Sequence, residues 1–338
     1  MLAMAKPVLL ISAPSALFES FFTDGHQRRL SRGFQWSRNP SAKLNRVLAQ
    51  QLGRAEALLT TWDSPRFGDE LLQIAPHLRL IAHCGGEVKR RFTGSLLDRL
   101  TITTAPEPMA RATAELGAAL LLYCARGIDR YRTGPGRRDD RTYPNVHFHG
   151  TPESLTGAAV GVLGFGRIGR KLVDFCRGFD LRWRVYDPYA PRDLARHYPV
   201  EFVSLSSLLK DSRLLVLTAA LTDETRGILN RRRLSQLPDH ATVINIARGG
   251  LIDLEALTRE VRQGRLLCAL DVTDPLEPLP PKHPLRSLPG AIVTPHIGGG
   301  TSKARHEMAD DLIDDLERFF RGDTVKNRVT SSMLARMT

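Results

Sequence analysis

The chain has 338 residues, with 42% hydrophobic and 25% charged side chains and a formal net charge of +12. These values exclude wholesale disorder and are typical of a folded protein of about two domains. No apolar run approaches the roughly 18 residues of a membrane-spanning helix, so we expect no membrane association. The N-terminal segment lacks the features of a secretory signal, and we expect a cytoplasmic protein.

In the first third of the chain, short apolar runs alternate with helical stretches. The alternation predicts strands at 7–12, 57–61, 79–83 and 100–104 and a long helix over 111–126. The segment 134–150 is rich in Gly, Pro, Arg and Asp, which indicates an exposed arm or linker.

After residue 155 the alternation is more regular. It predicts a helix over 167–179 and strands at 158–163, 181–187, 214–219, 241–246, 266–270 and 291–294. Strands separated by helices indicate a parallel sheet that is covered on both faces. We expect a last helix over 303–320 to return to the N-terminal domain, which makes that domain discontinuous.

The positive charge and the cysteines predict no further partner or metal. The basic residues occur in short, scattered clusters without a recognised nucleic-acid motif, so we expect no nucleic-acid partner. The four cysteines are far apart and form no C-x-x-C motif, and they predict neither a metal site nor a disulfide framework.

A glycine-rich motif, Gly164-x-Gly166-x-x-Gly169, ends the predicted strand at 158–163 and opens the helix that follows. In this context Gly164 permits a tight turn, Gly166 lets the backbone approach a pyrophosphate, and Gly169 lets the helix and the strand pack closely. The helix N-terminus favours negative charge, so the amides of Arg167 and Ile168 are the expected phosphate donors.

An aspartate, Asp187, ends the next predicted strand. A carboxylate at this position accepts hydrogen bonds from ribose hydroxyls and repels a 2′-phosphate, which favours NAD over NADP. Arg192 is a cation that could soften this preference, but Pro188 occupies a position where a base could otherwise bind the phosphate.

Three further segments, 243–253, 269–280 and 293–299, carry residues suited to catalysis. With the glycine motif, their order and spacing resemble the D-isomer-specific 2-hydroxyacid dehydrogenases over most of residues 80–320. The resemblance implies a D-stereospecific oxidoreductase that transfers a hydride between NAD(H) and a small 2-keto or 2-hydroxy acid. It also implies a homodimer.

The fold implied by the resemblance is α/β with two domains. Residues 126–300 are expected to form a Rossmann dinucleotide-binding domain. Residues 1–125 and 301–338 are expected to form a smaller, flavodoxin-like α/β substrate (catalytic) domain that is discontinuous in sequence.

The resemblance also implies three catalytic roles. His296 matches the acid/base, and its ordinary pKa near ~6.5 suits proton exchange with a substrate oxygen. Arg248 matches the arginine that binds the substrate carboxylate with paired hydrogen bonds. Glu277 matches the carboxylate that orients the histidine, but Leu276 looks inserted before it, and Asp274 is the alternative partner.

The remaining implied site residues bind cofactor and substrate. Asp271 matches an aspartate that receives the nicotinamide carboxamide, and Ala247 belongs to the same cofactor-binding set. The amides of Gly85 and Gly86, with that of Glu87, are expected to form a nest for the substrate carboxylate, alongside Arg248 and His296.

Two alternative functions stay open at this stage. One is a formate- or phosphite-type dehydrogenase of the same family, because these enzymes act on small anions with the same arginine and histidine. The other is a non-enzymatic NAD-sensing scaffold of the corepressor type.

Overall fold

The computed structural model describes residues 5–86, 88–89, 91–128 and 154–334. The predicted arm at 134–150 and the predicted nest residue Glu87 lie outside the described residues. The chain divides into two compact units: unit 1 comprises Met1–Met109 and Gly300–Thr338, and unit 2 comprises Ala110–Gly299. No helix in the described ranges is long and apolar enough to cross a membrane.

The strands, in chain order, are β1 (Val8–Ser12), β2 (Gln35–Asn39), β3 (Ala57–Thr60), β4 (Leu80–His83), β5 (Thr101–Thr104), β6 (Ala158–Leu163), β7 (Leu181–Tyr186), β8 (Val200–Phe202), β9 (Leu214–Leu217), β10 (Thr242–Asn245), β11 (Leu267–Leu270) and β12 (Ala291–Val293).

The helices, in chain order, are α1 (Ser15–Phe21), α2 (Asp24–Gly33), α3 (Arg46–Leu52), α4 (Glu70–Ile74), α5 (Gly94–Arg99), α6 (Pro106–Ala125), α7 (Arg167–Phe175), α8 (Leu205–Asp211), α9 (Arg231–Leu234), α10 (Leu254–Arg262), α11 (Ser302–Arg321) and α12 (Ser331–Leu334).

Each unit contains one parallel sheet. In unit 1 the strand order is β2-β1-β3-β4-β5, which is the flavodoxin-like order. In unit 2 the order is β12-β11-β10-β9-β6-β7-β8, which contains the doubly wound Rossmann order with β6 as its first strand. The predicted fold class is therefore confirmed.

The unit 1 sheet is apolar on both faces. Leu9 and Ile11 of β1 join one core layer, and Leu10 between them joins the other, because alternate residues of a strand point to opposite faces. Helix α11, which follows unit 2 in the chain, completes the first layer with Met308, Leu312 and neighbouring side chains, all fully buried. The expected discontinuous domain is thus confirmed.

Helix α6 crosses the division between the units. From Ala114 onward its buried side chains, among them Leu120 and Leu121, pack into a core layer of unit 2 with Leu172 of α7. The chain therefore divides inside this helix, whereas the sequence placed the domain boundaries after residues 125 and 300. Those domain boundaries stay a prediction.

Several predicted elements need correction. The strands β2 and β8 were not predicted, because each lies at a sheet edge, is short, and exposes alternate side chains. The helix expected over 167–179 ends at Phe175, where a turn follows. The helix expected over 111–126 begins at Pro106, a residue type that suits the first turn.

Candidate active site

The glycine turn lies between β6 and α7 in unit 2. Gly164 has φ +91°, and a Cβ atom there would lie 2.5 Å from the backbone of Ala219. A Cβ on Gly169 would lie 2.8 Å from the carbonyl oxygen of Gly164. Neither position admits a side chain, so the turn and the helix pack as the motif predicts.

The same turn leaves a cradle at the start of α7. Gly166 is the N-cap residue; it provides no side-chain cap, and no atom lies within 4 Å of where its Cβ would be. The first amides of a helix lack intrahelical acceptors, and those of Arg167 and Ile168 begin this one. The cradle therefore fits an anion such as a dinucleotide pyrophosphate.

Asp187 joins the glycine turn to the segment after β7. Its Oδ2 accepts the amide of Phe165 at 2.7 Å, and its Oδ1 accepts the amides of Tyr189 and Ala190 at 2.8 and 3.0 Å. These bonds hold the carboxylate beside the turn, where the predicted ribose contact requires it.

The turn after β10 positions Arg248. The fully buried side chain of Asn245 accepts the amide of Ala247 at 3.0 Å and donates to the carbonyl oxygen of Arg248 at 2.9 Å. The Arg248 guanidinium donates to the carbonyl oxygen of Ala247 at 2.7 Å. A Cβ on Gly249 would lie 2.1 Å from the carbonyl carbon of Thr273, so the turn is packed directly on the loop that follows β11.

His296 and Glu277 form a close pair. The Nδ1 atom of His296 lies 2.6 Å from Oε1 of Glu277, and the side chains are 49% and 33% exposed. His296 has φ 56°, a left-handed conformation that a residue with a side chain rarely adopts. Because Nδ1 is used by the glutamate, Nε2 is the nitrogen left for a substrate.

The pKa of His296 is raised from its ordinary value of 6.5, chiefly by the hydrogen bond to Glu277. Desolvation of the ring opposes this rise, and so does the positive charge of Arg248, whereas the charges of Glu277 and Asp271 support it. The effect of Arg248 indicates that the guanidinium and the imidazole lie within electrostatic reach of each other. The pair thus favours a protonated imidazole, which is a proton donor.

The alternative partner, Asp274, does not contact the histidine. Its carboxylate lies 3.9 Å from Arg226 instead. The loop accommodates the extra residue Leu276 by turning its side chain outward, to 57% exposure, while the Thr273 hydroxyl donates to the Leu276 carbonyl oxygen at 2.6 Å. Glu277 therefore reaches His296 despite the insertion.

Asp271 holds the turn that carries His296. Its carboxylate accepts the Thr294 hydroxyl at 2.6 Å and the amides of Ile297 and Gly298 at 2.9 Å each, and it is 1% exposed. Its carbonyl oxygen also accepts the amide of His296 at 2.9 Å. These contacts give Asp271 a role that the sequence did not predict, because they position the turn that carries the histidine. Its contact with a nicotinamide carboxamide stays a prediction.

Gly85 and Gly86 follow β4 in unit 1. The amide of Gly85 donates to the carbonyl oxygen of His83 at 2.9 Å, which closes a tight turn and differs from the free donor that the sequence predicts. A Cβ on Gly86 would lie 2.5 Å from the Met109 side chain. The role of these two amides in substrate binding stays a prediction.

His83 lies beneath that turn. It is fully buried, its Nδ1 contacts the Thr60 hydroxyl at 2.8 Å, and a Cβ on Gly85 would lie 2.4 Å from its Nε2. Burial, with a smaller effect of Arg91, lowers the pKa of His83 to about 3. His83 is therefore neutral and packs as part of the core of unit 1.

Sequence reasoning missed two positioning residues, Asn245 and Thr294. Asn245 ends an apolar strand three residues before Arg248, and Thr294 directly follows an apolar strand two residues before His296. A polar side chain in this position is the signal that could have identified them, because it can accept or donate to the backbone of the following turn.

Comparisons with known proteins agree with these features. Residues 118–298 match the family model described as D-isomer specific 2-hydroxyacid dehydrogenase, NAD binding domain. The chain is 32% identical over 291 residues to glyoxylate reductase of Pyrococcus horikoshii, a match that covers 83% of this chain and 86% of the relative. It is 31% identical over 256 residues to hydroxypyruvate reductase of Thermotoga maritima, which covers 73% and 79% of the two chains.

The whole fold also has a solved counterpart. The structure of 2-hydroxyacid dehydrogenase from Ketogulonicigenium vulgare matches with a TM-score of 0.76 and 28% sequence identity. The match covers 97% of this chain and 99% of the other.

Proposed function

The chain belongs to the D-isomer-specific 2-hydroxyacid dehydrogenase family and transfers a hydride between NAD(H) and 2-keto or 2-hydroxy acids, and we propose that it reduces small 2-keto acids of the glyoxylate and hydroxypyruvate type to 2-hydroxy acids, with the D configuration where C2 of the product is a stereocentre. The observation that carries this proposal is the 2.6 Å pair of His296 and Glu277, with the Arg248 charge acting on the same imidazole. The choice of substrates is supported by the names of the two relatives, each of which matches most of the chain.

Two groups of the chain act directly on the substrate. The Arg248 guanidinium binds the carboxylate of the keto acid and draws electron density from its carbonyl group. The imidazole of His296 donates a proton from Nε2 to the carbonyl oxygen as negative charge develops there. In the reverse direction the neutral imidazole accepts the proton of the hydroxyl group.

Two further carboxylates prepare the histidine for this step. Glu277 accepts a hydrogen bond from the Nδ1–H group and stabilises the imidazolium, which explains the direction of the pKa shift of His296. Asp271 holds the backbone of the turn, so that the imidazole does not have to be ordered during the reaction.

The cofactor is NAD, whose reduced form, NADH, would supply the hydride when it is bound. The cradle at Gly166 and the amides of Arg167 and Ile168 would hold its pyrophosphate. Asp187 would accept hydrogen bonds from its ribose hydroxyls. Gly164 and Gly169 keep the turn compact enough for this approach. We also propose that the protein forms a homodimer, which light scattering tests. We propose that it is located in the cytoplasm, which cell fractionation tests.

The proposed function is tested by following NADH oxidation with glyoxylate, hydroxypyruvate and phenylpyruvate. We expect turnover of at least the two smaller acids, and a loss of about a thousandfold in kcat/KM for His296→Asn. A matched control is His283→Asn, because His283 is a histidine of the same unit whose Nδ1 accepts the Leu285 amide, outside the proposed machinery.

Two results would contradict the proposal. Reduction of NAD by formate or phosphite without turnover of any keto acid would assign the chain to the other enzymatic alternative. Tight NADH binding with no turnover of any of these compounds would favour the scaffold.

A further inference from the structure

A hydrogen bond joins two segments on either side of the glycine turn. The Tyr189 hydroxyl donates to Oε2 of Glu224 at 2.5 Å. Tyr189 follows β7 and Glu224 follows β9, and these two strands flank β6 in the sheet. The bond therefore links the two sides of the carboxyl edge at which the glycine turn emerges.

Glu224 lies in a turn that the chain itself stabilises. The Thr225 hydroxyl donates to the carbonyl oxygen of Ala220 at 2.7 Å and accepts the Thr222 amide at 2.7 Å. The residue before this turn, Ala219, is the one whose backbone a Cβ on Gly164 would meet. The position of the Glu224 carboxylate is thus defined relative to the cofactor cradle.

Tyr189 places Glu224 on the adenosine side of that cradle. The Tyr189 amide binds Oδ1 of Asp187, and the Tyr189 hydroxyl binds Glu224, so a single tyrosine separates the two carboxylates. A phosphate on the ribose 2′-oxygen next to Asp187 would lie within about one screening length of both negative charges.

Two neighbouring arginines contact other groups. The Arg192 guanidinium lies over the Phe202 ring, 4.7 Å from its centroid. Arg226, two residues after Glu224, lies 3.9 Å from Asp274. These contacts direct both arginines toward groups other than Asp187 and Glu224.

We propose that Glu224, held by Tyr189, is a second specificity-determining carboxylate that excludes NADP from the adenosine site. This inference rests on the proposed function, in which NAD binds at the glycine turn. Asp187 both binds the ribose of NAD and repels the 2′-phosphate, whereas Glu224 acts by charge alone. Substitutions of Asp187 and of Glu224 are therefore expected to change the affinities for NADH and NADPH in different ways.

Dissociation constants measured by the fluorescence of NADH and NADPH separate these effects. Glu224→Gln is expected to tighten NADPH binding by about fivefold and to leave NADH binding within about twofold, because only a charge is removed. Asp187→Ser is expected to weaken NADH binding and to tighten NADPH binding. The matched control is Asp223→Asn, which removes an adjacent exposed carboxylate that does not bind Tyr189.

Ionic strength gives a second measurement that a purely structural role would not change. Salt screens repulsion between exposed charges, so the preference of the wild type for NADH should decrease as salt is added. The preference should depend less on salt in Glu224→Gln. Tyr189→Phe removes the hydrogen bond that holds Glu224. Its NADPH affinity should lie between those of the wild type and Glu224→Gln.

Three results would overturn the inference. The first is that Glu224→Gln leaves NADPH binding unchanged. The second is that it changes the affinities for NADH and NADPH equally, and the third is that it has the same effect as Asp223→Asn. Failure of the wild type to bind NADH at all would be a different outcome, because it would contradict the proposed function itself.

Discussion

The Oε1 atom of Glu277 lies 2.6 Å from Nδ1 of His296, although the two residues belong to different loops at the carboxyl edge of the same sheet. Glu277 follows β11, and His296 follows β12, the neighbouring strand. This is the edge at which parallel α/β sheets bind ligands. The hydrogen bond within this pair raises the pKa of the imidazole, so the pH dependence of the reaction tests the pair.

Glu277→Gln should move the pH profile of keto-acid reduction. The glutamate raises the pKa of His296, so the protonated donor persists to higher pH in the wild type. Reductive kcat/KM therefore falls as pH rises through this pKa, and in the variant it should fall at lower pH, with a loss of about tenfold or more near neutrality. Oxidation of the hydroxy acid needs the neutral imidazole and should show the opposite dependence. Asp274→Asn is the control, and an unshifted profile in Glu277→Gln would contradict this role.

Arg248→Lys should reduce kcat/KM for keto acids by about a hundredfold, because an ammonium keeps the charge but loses the planar pair of donors. The melting temperature should change little, since Arg248 lies in a turn whose backbone is held by Asn245. Arg262→Lys, on the outer helix α10, is the control. If Arg248→Lys and the wild type had equal kcat/KM values, the claim that Arg248 binds the substrate carboxylate would be contradicted.

Gly164→Ala should abolish NADH binding and lower the free energy of unfolding by about 2–4 kcal/mol, since the new Cβ combines a positive φ with a backbone clash at Ala219. Gly178→Ala is the matched control, because no atom lies within 4 Å of its Cβ position and its φ is not positive. Calorimetric titration with NADH and urea denaturation measure the two effects. Normal NADH affinity in Gly164→Ala would place the cofactor elsewhere.

Asp315→Asn should destabilise unit 1. Its fully buried carboxylate accepts the amides of Lys326 and Asn327 at 2.6 and 3.1 Å and so fixes the chain that follows α11. Replacing one acceptor oxygen leaves a buried amide unpaired, at a cost of about 2 kcal/mol in urea denaturation. Asp323→Asn is the control, because that side chain is half exposed and pairs with Arg321 on the surface. Equal stability of the two variants would contradict this role of Asp315.

Much of the fold could be predicted because buried parallel strands are continuous apolar runs. β6 begins and ends at the predicted residues, and its glycine turn has the predicted geometry. The edge strand β2, with its sequence Gln-Trp-Ser-Arg-Asn, is mostly polar, and only its pairing with β1 makes it a strand. Its formation therefore depends on tertiary structure that periodicity does not reveal.

The candidate site could be predicted in part. The motifs indicate that an arginine, a histidine and a carboxylate are present, with Glu277 as the expected partner of His296. The extra residue Leu276 left Asp274, in the same loop, as an alternative partner. The choice between them depends on how the loop turns at Leu276. Likewise, Asp271 positions the turn at His296 through hydrogen bonds from Thr294, Ile297 and Gly298. These donors follow β12 in the chain, and only folding brings them next to Asp271.

The central claim is that this site delivers a hydride from the nicotinamide to C2 of a keto acid while His296 supplies the proton. NADH that carries deuterium at both C4 positions tests it most directly, with glyoxylate and hydroxypyruvate as acceptors and the product analysed by mass spectrometry and chiral chromatography. We predict one deuterium at C2 of each product, D-glycerate from hydroxypyruvate, and no labelled product above background from His296→Asn. Unlabelled product, L-glycerate, or undiminished labelling by His296→Asn would contradict the claim.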